Sequence, residues 1–121
     1  MRYYIIIPTY NEEAFIQLTL NSLANQTVLP NKVIVVNDGS TDKTAEIVKA
    51  FAKENPFVTL VNKTSQAIHL PGSKVIQAFH EGEKHIDDNY DILVKIDADL
   101  IFPSNYFETI INHFESDDRI G

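Results

Sequence analysis

The chain contains no cysteine. That removes disulfides and thiolate chemistry from consideration and is compatible with a reducing compartment. It is also short of positive charge: 10 Lys and Arg stand against 17 Asp and Glu, a formal net charge of −7. General affinity for nucleic-acid backbones needs an excess of Lys and Arg, so the balance argues against it, and no basic run offers a local exception. Long apolar runs are missing as well. The run from Tyr3 to Ile7 is far too short for a signal peptide or a membrane span, which takes about 20 apolar residues. No G-x-G-x-x-G follows the first apolar run, no G-x-x-x-x-G-K-[ST] occurs, and no G-x-S-x-G occurs. These absences disfavour a Rossmann dinucleotide site, a P-loop NTPase and a hydrolase nucleophile elbow. Internal repeats and low-complexity segments are lacking too.

What remains is an ordinary soluble composition, 44% hydrophobic and 22% charged, over 121 residues. That length suits one domain with one core. Strand-like and helix-like runs alternate along it. Tyr3 to Ile7 reads as a strand buried on both faces. Asn11 is an N-cap candidate, with Glu12 and Glu13 in the first helical turn and Ile16, Leu20, Leu23 and Ala24 on one helical face. Lys32 to Val36 is a second buried strand. Ser40-Thr41-Asp42 can cap a helix carrying Ala45, Val48, Phe51 and Ala52. Phe57 to Val61 is a third strand, and 62–72 a polar connector. A helix from about Ser73 to Ile86 carries Val75, Phe79, Gly82 and Ile86. Ile92 to Ile96 is a fourth strand. Pro103 and Ser104 open a last helix with Phe107, Ile110, Ile111 and Phe114, and a fifth strand starts at 119–121. Strand–helix repeated four times predicts an α/β fold, a doubly wound, mostly parallel sheet with helices on both faces.

In such sheets ligands bind beyond the carboxyl ends of the strands. That rule selects Pro8 to Glu12, Asn37 to Ser40, and Asp97 to Asp99. Asp97 and Asp99, two apart after an extended run, project to one side. Paired carboxylates there suit Mg²⁺ or Mn²⁺, which takes one or two carboxylates plus substrate phosphates; two solvated turn aspartates are the plain alternative. Asp38 can accept hydrogen bonds from a base or ribose, or Asn37-Asp38-Gly39 is simply a turn. Thr9, Tyr10 and Glu12 lie where a helix N-terminus exposes N–H groups to an anion or nucleotide, while Thr9-x-x-Glu12 also fits a capping box. Lys74 can reach a diphosphate as a point charge, or be solvated. The four histidines show no metal-ligand spacing and read as surface residues.

Taken together, Ile-Ile-Ile-Pro-Thr-Tyr-Asn-Glu-Glu, Val-Ile-Val-Val-Asn-Asp-Gly-Ser-Thr-Asp and Ile-Asp-Ala-Asp resemble the inverting GT-A glycosyltransferases of family 2. Order, spacing and strand-end placement match over nearly the whole chain. The resemblance implies that Pro8, Thr9, Tyr10, Glu12 and Asp38 hold the nucleoside and that Lys74 lies near the diphosphate. It implies that Asp99 ligates a divalent metal, Mn²⁺ or Mg²⁺, with Asp97 as metal, sugar or ribose contact. The partners implied are a nucleoside-diphosphate sugar, a UDP-sugar first, and a saccharide, lipid or protein acceptor, as in cell-wall or polysaccharide synthesis. An acceptor hydroxyl would attack with inversion.

The sequence departs from the family pattern in three places. Asn37 stands where many members carry Asp. The third helix opens Pro71-Gly72-Ser73-Lys74 rather than with the usual basic pattern. The family's second half, with its acceptor contacts and general base, has no counterpart here. The expectation is therefore residues 1–121 as a single nucleotide-sugar-binding domain, the N-terminal part of a longer catalytic domain. Its catalytic base would lie beyond Gly121, its activity alone would be low, and a homodimer would compensate for the missing half. Cytoplasmic residence, at or near the membrane's cytoplasmic face, goes with that reading. A nucleotidyltransferase on a similar sheet is the rival, but Pro8 to Glu13 has neither Gly nor a basic residue. A non-enzymatic α/β binding module is the other.

Overall fold

A computed structural model describes residues 1–63 and 73–116, with side chains in the third helix from Ile76 onward. The element order is β1 (Tyr3–Thr9), α1 (Ile16–Ala24), β2 (Lys32–Asp38), α2 (Thr44–Glu54), β3 (Val58–Lys63), α3 (Ser73–Glu83), β4 (Ile92–Lys95) and α4 (Tyr106–Ser116). The strands form one sheet in the order β3-β2-β1-β4, every pairing parallel. The doubly wound arrangement expected from the alternating pattern is therefore present. The expected fifth strand and the 64–72 part of the connector lie outside the described residues.

The two apolar runs become the two central strands because both of their faces are covered. On one face Tyr3, Ile5, Ile7, Val33 and Val35 pack against Ile16, Leu20 and Leu23 of α1, Val48 of α2, and Phe107 and Ile111 of α4. On the other, Ile6, Ile34, Val36 and Val61 pack against Ala78 of α3, with Phe79, Ile86 and Leu93 beside them. Strand alternation sends odd and even residues of β1 to these separate clusters. Gly82 lets α3 sit close: a Cβ there would lie 2.7 Å from Ile6 Cγ2 and 3.1 Å from Val36 Cγ2.

Pro8 sits inside β1, where proline normally costs a ladder bond. Here it costs none. Ile96 N donates to Ile6 O at 3.2 Å, and the β1–β4 pairing stops at Ile6↔Lys95. Two residues on, Pro8 faces the same side, past the end of β4. The sheet opens at that point. β1 leads to β2 on one side, whereas β4 is reached by a crossover from β3, so strand order reverses between β1 and β4. Such a switch point leaves a crevice at the strand ends.

Two joints position the segment that follows β4. Thr19 Oγ1 of α1 donates to Ala98 O at 2.8 Å. Gln26, buried after α1, donates to Pro103 O at 2.6 Å and accepts from Phe107 N at 3.1 Å. Tyr3 stacks on Phe107 with ring centroids 4.9 Å apart. At the opposite end of the sheet Tyr4 is fully buried and its hydroxyl donates to Asp87 Oδ1 at 2.6 Å, while Lys32 Nζ lies 3.0 Å from Asp87 Oδ2.

Candidate functional site

A cleft of about 380 Å³ opens at the switch point, lined by Pro8, Thr9, Tyr10, Glu12, Asp38, Ala78, Asp97, Ala98 and Asp99. Its size is in the range of small-molecule sites. All three selected strand ends meet there: the β1 loop, the end of β2, and the segment after β4. Of the predicted site residues, Lys74 alone is not placed, because its side chain lies outside the described residues.

The β1 loop differs from the expected helix cap. α1 begins at Ile16, not near Glu12, and no acidic residue lies in its first turn. Asn11 is not an N-cap; its φ of 51° puts it in the left-handed region, which asparagine tolerates better than most residues. Thr9 and Glu12 form no capping box, since Thr9 Oγ1 bonds Ile7 O at 3.0 Å. Nor do the loop's N–H groups face a ligand, because the β2 loop takes them. Asn11 N donates to Ser40 Oγ at 3.0 Å, Glu12 N to Thr44 Oγ1 at 2.9 Å, and Glu13 N to Asp42 Oδ2 at 3.2 Å. In return Thr41 N donates to Asn11 Oδ1 at 2.8 Å and Lys43 N to Glu13 Oε2 at 3.1 Å. This reciprocal clasp leaves side chains, rather than backbone amides, to line the cleft from β1. Asp42 also receives Thr44 N at 2.9 Å in a local turn, but the residue at the N-cap of α2 is Lys43 and no side chain caps that helix, so the cap expected from Ser40-Thr41-Asp42 does not form.

Asp38 is 4% exposed. Among the described residues nothing donates a hydrogen bond to its Oδ1, and Lys63 Nζ lies 3.7 Å from it. A buried carboxylate oxygen with unused lone pairs, at the wall of a cleft, is set to accept an N–H or O–H from a ligand. Behind it Asn37 fixes the turn. Its Nδ2 donates to Asn62 Oδ1 at 2.9 Å and its Oδ1 accepts from Ser40 N at 3.1 Å.

Across the cleft, Asp97 and Asp99 are exposed while Ile96 and Ala98 are buried. β4 ends at Lys95 and Ala98–Asp99 is a turn. Extended-strand geometry therefore does not align the two carboxylates; the buried Ala98, held by Thr19, keeps both on the solvent side. Lys95 Nζ lies 3.5 Å from Asp97 Oδ1. Glu12 completes the acidic wall. Burial, then the charge of Asp99, then Asp42 and Asp97, pushes its carboxyl above the ordinary glutamate value. A cation placed among these groups would relieve that repulsion. Among the described residues, however, no three His, Cys, Asp or Glu side chains converge on a common metal position. The residues fit a divalent ion held by one or two carboxylates, with substrate phosphate and water completing its shell.

Sequence reading missed Lys63, Lys95 and Ala78. The two lysines are the last residues of β3 and β4, each paired with a site aspartate. Ending the third strand at Val61 hid the register that sets Asp38 beside Lys63. The described histidines, His80, His85 and His113, do not line the cleft; His80 is a surface residue 2.9 Å from Glu83, and His69 lies outside the described residues. No helix among the described residues is long and apolar enough to cross a membrane.

Comparison with known proteins places these motifs in context. The family model described as Glycosyl transferase family 2 matches residues 4–121. Glycosyltransferase GlyA of Streptococcus pneumoniae is 28% identical over 97% of this chain, which spans 16% of that protein. The structure of S. aureus TarS 1-349 in complex with UDP-GlcNAc superposes with a TM-score of 0.75 at 25% identity, covering 96% of this chain and 32% of that TarS chain. The mannosyltransferase PcManGT from Pyrobaculum calidifontis, in complex with GDP-Man and Mn²⁺, gives 0.69 at 31% identity, covering 84% of this chain and 28% of PcManGT. The chain thus spans less than a third of each of these three proteins.

Proposed function

The chain belongs to glycosyl transferase family 2, and from that premise we propose that its cleft binds a nucleoside-diphosphate sugar, with a divalent metal, for inverting transfer of the sugar to an acceptor hydroxyl. The observation that carries the reading is the convergence of Tyr10, Glu12, Asp38, Asp97 and Asp99 on one cleft at the switch point. Such a site needs an acceptor for the base at one end and anionic groups that hold a cation against a diphosphate at the other. Asp38 supplies the first. Its free oxygen suits the ring N–H of uracil or guanine, the two bases carried by the bound donors of TarS and PcManGT. Pro8 and Thr9 form the wall beneath the nucleoside, with Tyr10 exposed at the rim. Asp99 and Asp97 supply the second group, and Glu12 adds negative charge that favours a cation between them. When bound, the metal neutralises charge on the departing diphosphate. Saccharide, lipid and protein acceptors all offer the hydroxyl the reaction needs. The reading carries a cytoplasmic location, consistent with the lack of cysteine.

Calorimetric titration with UDP-GlcNAc and GDP-mannose, with and without Mn²⁺, tests the proposal. Binding that requires Mn²⁺ and disappears in Asp99→Ala, while the variant's circular dichroism stays that of the folded chain, is expected. A folded wild-type chain that binds neither donor under either condition would refute it.

A further inference from the structure

The last two residues of β3 face the last two of β2 in register, Asn62 against Asn37 and Lys63 against Asp38. Both rungs are linked through side chains. The Lys63 and Asp38 side chains are only 10% and 6% exposed. Burying an ion pair this deeply adds little stability over an apolar pair, because desolvation offsets the attraction. Such a pair is better explained by what its charges do. The separation of 3.7 Å is beyond hydrogen-bonding distance for an ammonium and a carboxylate. Lys63 therefore attracts Oδ1 without occupying its lone pairs, and no other described residue donates to Oδ1. Lys63 also lines a separate depression on the α3 side of β3, with Glu81 and His85. Asp38 lines the cleft and Lys63 does not.

We infer that Lys63 is a positioning residue of the donor site: its buried ammonium holds the Asp38 carboxylate turned toward the cleft, so that an N–H of the nucleotide base meets an oriented acceptor. The inference rests on the donor-binding reading above. It requires Lys63 to act through Asp38, without touching the nucleotide. Removing the ammonium leaves a buried carboxylate uncompensated, free to turn or recruit water, and base recognition weakens. Once Asp38 is neutral, Lys63 has nothing left to orient.

The test is a double-mutant cycle read as donor affinity: Kd for UDP-GlcNAc and GDP-mannose with Mn²⁺, in wild type, Lys63→Gln, Lys63→Arg, Asp38→Asn and the Asp38→Asn/Lys63→Gln pair, each with a melting curve. Lys63→Gln is expected to weaken the bound donor by about tenfold or more, and Lys63→Arg to stay within about threefold of wild type. In the Asp38→Asn background, Lys63→Gln should change Kd by less than about threefold. Lys63→Gln binding as wild type, or losing as much in the Asp38→Asn background, overturns the inference. If Lys63→Gln alone does not fold, Asp38→Asn against the double variant decides, since neither leaves a buried carboxylate unpaired: equal affinity supports the assignment and a further loss overturns it. Wild type that binds no donor would sink the donor reading and this inference with it, whereas wild-type binding without coupling sinks this inference alone.

Discussion

The Thr19 hydroxyl, buried within α1, donates to the carbonyl of Ala98, the residue between Asp97 and Asp99. One side chain of the first helix thus fixes the peptide on which the acidic pair is mounted, 79 residues away in sequence. Thr19→Val keeps the shape and removes the donor, leaving a buried carbonyl unsatisfied at about 1–3 kcal/mol. Urea unfolding should show that loss, and titration with donor and Mn²⁺ should show weakened binding. Thr19→Ser should restore both. Undiminished donor binding by a folded Thr19→Val would mean that the joint does not position the pair.

Glu12 should oppose folding at neutral pH. Burial first, then Asp99, Asp42 and Asp97, raises its proton affinity in the folded chain above the unfolded value. The contribution of this carboxyl is therefore full below the ordinary glutamate range and is lost as pH rises through the higher folded value. Glu12→Gln is expected to raise the melting temperature at pH 7 and to give little gain near pH 4. It should also weaken donor binding if Glu12 contributes to the site. A lower melting temperature for Glu12→Gln at pH 7 would contradict the electrostatic account.

Asp87 behaves oppositely. Hydrogen bonds from Tyr4, the Asn89 backbone and Lys32 hold its carboxyl far below the ordinary aspartate range. The folded value is depressed, so its contribution is present above the unfolded value and lost as pH falls through the folded one. Asp87→Asn should lower the melting temperature at pH 7, and the difference from wild type should shrink steadily below about pH 4. A difference that does not change with pH would assign the effect to shape alone.

Gly82→Ala should lift α3 from the sheet. The new methyl meets Ile6 Cγ2 at 2.7 Å, and Ile6 is fully buried. Overpacking costs about 1–3 kcal/mol, against roughly 1 kcal/mol recovered from helix propensity. Ala78, one turn earlier, lines the cleft, so donor affinity should fall along with stability. Denaturation midpoint and donor Kd measured together check both; a more stable variant with unchanged affinity would show that α3 has slack.

Much of this was legible in the residues themselves. Continuous apolar runs mark the two central strands, and the strand-end rule selects Pro8 to Glu12, Asn37 to Ser40 and Asp97 to Asp99 from sequence. The local chemistry of the β1 loop was not legible. Asn11 and Glu12 satisfy the rules for a helix N-terminus, yet the chain turns left-handed at Asn11 because Ser40, Asp42 and Thr44 offer better acceptors from 29–32 residues away. Local propensity lost to a long-range partner that no window of sequence contains. The same limit hid Lys63. Its pairing with Asp38 depends on the β2–β3 register and on two residues of β3 beyond Val61. Lys95 escaped notice differently, as one polar residue ending an apolar strand.

The clasp between the first two loops also bears on how this cleft can be re-engineered. Pro8–Glu13 and Ser40–Thr44 exchange donors and acceptors in both directions, so neither segment is a portable module. Grafting the first loop from another transferase would strand the hydroxyls and the carboxylate of the second, and the transplanted backbone would lose the partners that bend it. Under the proposed function, donor preference is therefore exchangeable only by the pair of loops together, and a library that varies one of them while holding the other fixed is expected to sample chiefly misfolded clefts.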